Sequence, residues 1–184
     1  VPMSATGRGG SRHPRDFYET PSWVTEALLD HEPIHPPLLD PACGDGAILR
    51  VLHERGWDPL WGNDIEPGES GFYIRHNEDY LNSAPQPQWS SIVMNPPYKH
   101  AAEFVRVAIA DTKPGGKVCA LLRLNFLGSS RKRLDLVGPG SGLRSVYVLS
   151  RRPSFTGDGR TDACEYAWFV WEAAYSGATI VEVL

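Results

Sequence analysis

The sequence lacks long apolar runs, and several other absences narrow the kind of protein that it encodes. No apolar run in the 184 residues approaches the length of a membrane span, and the N-terminus has no signal-peptide core. The cysteines, Cys43, Cys119 and Cys164, are odd in number and widely spaced, which fits neither a disulfide framework nor a zinc site. The six histidines form no ligand pair at helical or finger spacing. We therefore expect a soluble, cytoplasmic protein with reduced thiols and no metal.

Positive charge is scarce overall but concentrated in one segment. The formal net charge is −4, which argues against a protein that binds nucleic acid over its whole surface. Residues 113–160 nevertheless hold ten Lys or Arg and only two acids, so this segment carries +8 and the remainder −12. A concentrated basic segment in an acidic chain is typical of a phosphate-binding surface, with a merely solvated basic face as the alternative.

Strand-like and helix-like patterns alternate along the chain. The Gly-, Ser- and Arg-rich residues 1–16 predict a flexible arm, and residues 17–184 predict a single domain. Thr20 as N-cap and Pro21 at the first helical position predict a helix that ends near Asp30. Apolar runs predict seven strands, at 38–40, 60–65, 72–74, 91–94, 117–124, 145–149 and 166–171, and helices at 47–55 and 101–110. This alternation predicts an α/β, Rossmann-like fold, with a mostly parallel seven-stranded sheet and helices on both faces.

A glycine-containing turn, DPACGDG at 40–46, follows the first predicted strand. Its glycines would let a ligand approach the backbone closely, next to the N-terminus of a helix. The turn is not the GxGxxG dinucleotide motif, and Asp40 and Asp45 would repel a pyrophosphate, so a positively charged ligand is favoured. About twenty residues later the second predicted strand ends at Asp64, where a carboxylate can accept hydrogen bonds from two ribose hydroxyls.

The loop after the fourth predicted strand is Asn95-Pro96-Pro97-Tyr98. The two prolines cannot continue a ladder, so the strand ends there and a stiff loop follows. This loop presents the Asn95 amide, the Pro96 carbonyl and the Tyr98 ring. Two acceptors beside an aromatic face suit a planar group that carries an amino group.

These segments together resemble the S-adenosylmethionine-dependent amino-methyltransferases, in the γ order of their motifs. The loop NPPY resembles motif IV, and DPACGDG resembles motif I. The end of the second predicted strand resembles motif II, the segment DYL at 79–81 resembles motif III, and FYETP at 17–21 resembles motif X. The family usually has Ser or Thr where this chain has Asp45. The resemblance covers nearly all of residues 17–172, and it implies a class I methyltransferase fold with S-adenosylmethionine as cofactor. The implied cofactor-binding residues are Tyr18, Thr20, Asp40, Ala42, Gly44, Gly46, Asp64, Ile65, Asp79, Tyr80 and Asn95, with Glu66 as a lesser candidate.

The resemblance also implies a substrate. Asn in the first position of motif IV, with the γ order, favours the N6 amino group of adenine in DNA, and the segment around Phe155 is similar to small phage and prophage methyltransferases. The implied catalytic residues are Asn95, Pro96, Pro97 and Tyr98, and Phe155 would stack on the flipped base opposite Tyr98. The implied substrate contacts are Tyr98, Phe155, Lys99, Arg131, Lys132, Arg133, Arg151, Arg152 and Arg160. A bacterial or phage-infected cell is the implied setting.

Other functions stay open at this point. Methyltransferases of rRNA bases and of release-factor glutamines share Asn-Pro-Pro-Tyr. The glutamine enzymes normally carry an N-terminal helical domain, and the roughly sixteen residues before motif X count against that alternative. A catalytically inactive relative that binds nucleic acid and an NAD-dependent oxidoreductase are further alternatives. About a dozen residues follow the last predicted strand, so no sizeable target-recognition domain is expected. We therefore expect short or relaxed specificity, or specificity supplied by a partner.

Overall fold

The computed structural model describes residues 19–66, 68, 71–128, 130–156, 159–161 and 163–184. The predicted arm, with Phe17 and Tyr18, lies outside these residues. The helices are α1 (Ser22–His31), α2 (Ala47–Glu54), α3 (Ala101–Asp111) and α4 (Leu134–Val137). The strands are β1 (Leu38–Asp40), β2 (Leu60–Asn63), β3 (Ile74–His76), β4 (Trp89–Met94), β5 (Thr112–Arg123), β6 (Leu143–Val148), β7 (Tyr166–Glu172) and β8 (Ile180–Val183). None of the helices in the described ranges is long and apolar enough to cross a membrane.

The strands of the described chain form one sheet in the order β3-β2-β1-β4-β5-β7-β6-β8. Neighbouring strands from β3 to β5 are parallel, and β7 is antiparallel to both of its neighbours, β5 and β6. The predicted Rossmann-like α/β fold is thus confirmed, and each of the seven predicted strands occurs. The eighth strand, β8, was not predicted, although its β-branched residues Ile180 and Val181 were an available signal.

Two local predictions were wrong in detail. The third strand begins two residues later than predicted, because its pairing with β2 begins only at Ile74. Before it, Tyr73 is buried in the core and Phe72 stacks on His53 at 5.0 Å between ring centroids. Thr20 does not cap α1: the N-cap position is Pro21, which makes no side-chain capping bond. The Thr20 hydroxyl makes a long-range contact instead, described below.

Helices cover both faces of the sheet and divide the core into two layers. On one face, α1 and α2 contribute Leu28, Leu49 and Leu52 to a cluster that includes Trp168 of β7. On the other face, α3 and α4 pack against the next residue of β7, Phe169, and its neighbours. The first six residues of β7, 166–171, therefore form a continuous buried run of aromatic and aliphatic residues, since their side chains alternate between two buried faces.

A buried carboxylate attaches the C-terminal end of α1 to the sheet. Glu32, whose side chain is fully buried, accepts hydrogen bonds from Lys117 Nζ in β5 at 2.5 Å, from Arg144 in β6, and from Tyr147 Oη in β6 at 2.9 Å. Burial, together with the hydrogen bond to Glu32, raises the pKa of Tyr147. One carboxylate thus joins the first helix to two strands that come more than eighty residues later.

We predict that Glu32→Ala lowers the free energy of unfolding by about 2–4 kcal/mol, because it leaves the largely buried Lys117 without its carboxylate and Arg144 with only its pair to Glu172. The matched control is Asp30→Ala on the same helix, which removes an exposed ion pair with Arg55 and should cost less than about 1 kcal/mol. Urea denaturation of both variants measures the difference. Equal losses would contradict the anchoring role of Glu32.

Candidate active site at the switch point of the sheet

The order of the strands creates a crevice at one edge of the sheet. From β1 the chain builds β2 and β3 on one side, and it then crosses to β4 on the other side of β1. The loops that follow β1 and β4 therefore diverge, and in open α/β sheets ligands bind at this point, beyond the carboxyl ends of the strands. These two loops are residues 41–46 and 95–98, so the fold brings the two most distinctive sequence motifs to one crevice.

The glycine turn after β1 is held by its own backbone. The buried carboxylate of Asp40 accepts a hydrogen bond from the Ala42 N–H at 3.1 Å, and the Gly46 N–H donates to the Cys43 carbonyl at 2.7 Å. Gly46 has a φ of +79° and directly precedes α2, and a β-carbon at this position would lie 2.8 Å from the ring of Tyr73. Both the backbone conformation and the neighbouring ring therefore require glycine there.

Asp64 directly follows β2, and its carboxylate is fixed between two backbone donors. Oδ2 accepts from the Gly44 N–H at 2.8 Å, and Oδ1 accepts from the Glu66 N–H at 3.0 Å. The first bond connects Asp64 to the glycine turn, so the two predicted cofactor-binding segments lie together. Ile65, the next residue, is 68 % exposed.

Two asparagines that sequence reasoning missed hold the segment after β3. The Asn63 side chain is buried and bonds both backbone groups of Glu78: Nδ2 donates to the carbonyl at 3.0 Å, and Oδ1 accepts from the N–H at 3.1 Å. Asn77 Nδ2 donates to the Glu66 carbonyl at 2.9 Å. Asp79 is thereby placed beside the end of β2, where its own carboxylate caps the next turn by accepting from the Leu81 N–H at 3.1 Å.

The side chain of Tyr80 does not reach the crevice, contrary to the role predicted for it. Its ring is buried in the core and packs against Phe104 of α3, with 5.8 Å between ring centroids. Burial and the nearby carboxylate of Asp111, at the far end of α3, raise the pKa of the Tyr80 hydroxyl. Tyr80 therefore supports the turn that carries Asp79, and a direct side-chain contact with a cofactor is not its role.

The Asn95 side chain is oriented by the residue predicted as a helix cap. Its Nδ2 donates to Thr20 Oγ1 at 3.1 Å, across seventy-five positions of sequence. Thr20 is buried, and Asn95 is partly buried at the end of β4. With the amide nitrogen directed at Thr20, the amide oxygen lies on the opposite side of the group. Next in the loop, Pro96 is buried, whereas Pro97 is exposed and accepts from the His100 N–H at 2.9 Å.

Tyr98 and Phe155, the two predicted stacking residues, lie against one buried aromatic ring. The ring centroid of Tyr166 in β7 lies 5.8 Å from that of Tyr98 and 5.1 Å from that of Phe155. Both outer rings are partly exposed, whereas Tyr166 is buried. Phe155 also lines a cleft of about 390 Å³ that is bounded by Thr20. The structure thus brings Tyr98 and Phe155 to the same face of the sheet as Thr20.

The predicted phosphate-binding residues differ in how they are used within the protein. Arg133 lies over the ring of Phe126 at 4.8 Å and donates to the Gly128 carbonyl, so it holds a loop. Arg152 pairs with Glu165 at 2.5 Å, and this hydrogen bond lowers the pKa of Glu165. Arg151 lies over the ring of Trp23 at 4.0 Å. Lys99, Arg131, Lys132 and Arg160 are exposed.

Arg106 of α3, which the sequence did not single out, anchors the loop that presents two of these cations. It forms two hydrogen bonds to the Asp135 carboxylate, at 2.7 and 3.0 Å, and a third to the Lys132 carbonyl at 2.7 Å. The hydrogen bond from Arg106 lowers the pKa of Asp135. Arg131 and Lys132 are therefore displayed from a backbone that is fastened to the helix after the Asn95 loop.

No protein-family model and no curated protein matches the sequence. Solved structures nevertheless resemble the fold. A Listeria monocytogenes protein assigned to the class I S-adenosylmethionine-dependent methyltransferases has a TM-score of 0.69 at 15 % identity, over 95 % of this chain and 68 % of that one. The methyltransferase subunit of a type I restriction-modification system from Streptococcus thermophilus has a TM-score of 0.65 at 14 % identity, over 87 % of this chain and 46 % of that one.

A third similar structure is the modification subunit of a protein from Vibrio vulnificus YJ016 that is assigned as a type I restriction enzyme. Its TM-score is 0.62 at 16 % identity, over 88 % of this chain and 45 % of the other. This chain spans less than half the length of both restriction-system subunits. Likeness at such identities shows the fold alone, and the fold is that of the class I S-adenosylmethionine-dependent methyltransferases.

We predict that Gly46→Ala destabilises the protein more than Gly56→Ala, by about 1–3 kcal/mol. Both glycines have a positive φ, +79° and +91°, so both variants force a side chain into a disfavoured conformation. Only at Gly46 does the new β-carbon also meet a ring, that of Tyr73, while nothing lies within 4 Å of it at Gly56. Urea denaturation of both variants isolates the effect of the close contact with Tyr73. Equal losses of stability would contradict the prediction and show that the turn or the Tyr73 ring can shift to make room for the β-carbon.

Proposed function

We propose that this protein transfers a methyl group from S-adenosylmethionine to the exocyclic N6 amino group of adenine in DNA. The observation that carries the proposal is the Asn95 amide, which Thr20 orients at the carboxyl end of β4, at the same edge of the sheet as the glycine turn and Asp64. Two similar structures belong to restriction-modification systems, which supports DNA as the substrate.

The residues at the crevice fit S-adenosylmethionine. A carboxylate has about four acceptor sites, more than the two bonds to the Gly44 and Glu66 N–H groups use, so Asp64 can also accept from ribose hydroxyls. The turn carries no side chain at Gly44, and the exposed Ile65 offers an apolar surface to a planar base. When bound there, the cofactor supplies an electrophilic methyl group on a positively charged sulfur.

The Asn95 loop addresses the main chemical difficulty of the reaction. The exocyclic amino group of a base is a poor nucleophile because its lone pair is delocalised into the ring. Asn95 Oδ1 and the Pro96 carbonyl would each accept one of its N–H bonds, which draws the nitrogen towards tetrahedral geometry and directs its lone pair at the methyl group. The contribution of these residues is positioning and electrostatics, and the proton is lost late, to water.

Tyr98 and Phe155 would hold the base once it has left the duplex. Stacking on an aromatic side chain is worth about 1–3 kcal/mol per base, which offsets much of an unstacking cost of a few kcal/mol. The exposed cations Lys99, Arg131 and Lys132 would contact flanking phosphates. Short or relaxed sequence specificity remains part of the proposal, and methylation mapping on random-sequence DNA tests it.

Transfer of a tritiated methyl group to duplex DNA, to rRNA and to a glutamine-containing peptide, measured in parallel, tests the substrate class. We expect label in DNA, and nuclease digestion should release it as N6-methyladenine. Label found only in RNA or only in the peptide would refute the DNA assignment. Absence of transfer to all three, with cofactor binding intact, would favour an inactive relative.

We predict that Asn95→Ala lowers the turnover number on DNA by at least about 100-fold, because the amino group loses one of its two acceptors. The affinity for S-adenosylmethionine should remain within a few-fold, as measured by calorimetry. The matched control is Gln88→Ala, which truncates an exposed side-chain amide just before β4, at the opposite end of that strand from Asn95, and should leave turnover unchanged. Turnover that survives in the Asn95 variant would sink the catalytic assignment.

We predict that Tyr98→Ala weakens DNA binding about 5- to 100-fold, since one stacking partner of the base is lost. Cofactor affinity should change less, because the ring packs against Tyr166 of β7. Fluorescence of a duplex with 2-aminopurine at the target position reports the flipped base directly. If the variant raises this signal as fully as the parent protein does, Tyr98 does not hold the base.

A further inference from the structure

The ring of Tyr98 has a cationic neighbour as well as an aromatic one. The guanidinium carbon of Arg123 lies 5.0 Å from the centroid of the Tyr98 ring. This distance is within the range of about 6 Å at which a cation is attracted to the face of an aromatic ring. Arg123 is the last residue of β5, and Tyr98 follows β4, the neighbouring strand. The contact therefore connects the Asn95 loop to the end of an adjacent strand.

Arg123 and Tyr166, the two neighbours of Tyr98, are themselves a cross-strand pair. They lie opposite each other in the antiparallel register of β5 and β7, so their side chains project from the same face of the sheet. Tyr98 thus contacts both members of a pair whose backbones are held by the sheet. A ring that contacts two neighbours is more restricted in tilt than a loop ring that contacts neither.

We propose that Arg123 is a positioning residue, which holds the Tyr98 ring at the tilt at which a nucleobase stacks on it. This inference rests on the function proposed above and adds to it a residue that touches neither cofactor nor reacting atoms. Arginine suits the position because its planar guanidinium lies flat on an aromatic ring, while a lysine ammonium is a compact charge that is more strongly hydrated.

The test compares Arg123→Met, which keeps the length and apolar stem but removes the charge, with Arg123→Lys, which keeps the charge. The kcat/KM on DNA should fall about 3- to 10-fold in the methionine variant and less in the lysine variant. The affinity for S-adenosylmethionine should be unchanged in both. The matched control is Arg55→Met, which removes an arginine that pairs with Asp30 at the surface and should alter kcat/KM by less than about twofold.

A double-mutant cycle separates positioning from direct contact with phosphate. If Arg123 acts through Tyr98, the change to methionine has little further effect in a Tyr98→Ala background. An arginine that contacts phosphate would instead lower DNA affinity equally in both backgrounds, and its loss would reduce the slope of log affinity against log salt by about one. Additive losses with a changed salt slope would overturn the proposal.

A measurement on the free protein keeps this inference distinct from the proposed function. In protein labelled with 3-fluorotyrosine, Tyr98→Phe identifies the fluorine resonance of Tyr98. That resonance should shift in Arg123→Met and stay in place in Arg55→Met. An unmoved resonance in Arg123→Met would overturn the contact. A shifted resonance in a protein that methylates no nucleic acid would refute the proposed function and leave the contact established.

Discussion

The docking of α1 against the sheet is the contact on which the geometry of the site depends. At its C-terminal end, Glu32 accepts from cations of β5 and β6, and in its first turn the Val24 carbonyl accepts from Trp168 Nε1 of β7 at 2.8 Å. The segment that leads into the helix then places Thr20 against Asn95. Because α1 is bonded to the sheet near both of its ends, its position is fixed. The orientation of the Asn95 side-chain amide therefore depends on contacts made far from it.

Sequence patterns could predict the sheet and the meeting of its motifs, because both follow from local rules. Strands buried on both faces have continuous apolar runs, and the ends of parallel strands share one edge, so the turn after β1, Asp64 and the Asn95 loop had to converge. The partner of Thr20 could not be predicted in this way. Local spacing favoured a helix cap, and only the packing of α1 reveals that the hydroxyl faces a loop seventy-five residues later.

The roles of the cations in the basic segment, residues 113–160, likewise could not be predicted from local sequence. A count of arginines treats each one alike, whereas their partners decide what each can do. Arg144 is occupied by Glu32, Arg152 by Glu165, and Arg133 by backbone carbonyls and a ring. The cations that remain exposed around the Asn95 loop are fewer than the net charge of the segment suggested. Whether a cation can bind phosphate therefore depends on the exposure of its side chain and on its partners within the protein. Neither can be predicted from the local sequence.

Three tyrosines were predicted for the site, and Tyr18 lies outside the described residues. The other two, Tyr80 and Tyr98, show how the sheet determines which residues reach the site. Tyr80 packs with the α3 and α4 layer, whereas Tyr98 packs with the α1 and α2 layer, so the sheet separates them. Thr20 and Phe155 lie on the side of Tyr98. An aromatic residue near the end of a strand can contact a ligand in the crevice only if its side chain lies on the same face of the sheet as that ligand. In this chain Tyr98, Phe155 and Thr20 lie on the face covered by α1, so the first helix and the two rings that we propose to stack on the base form one structural unit.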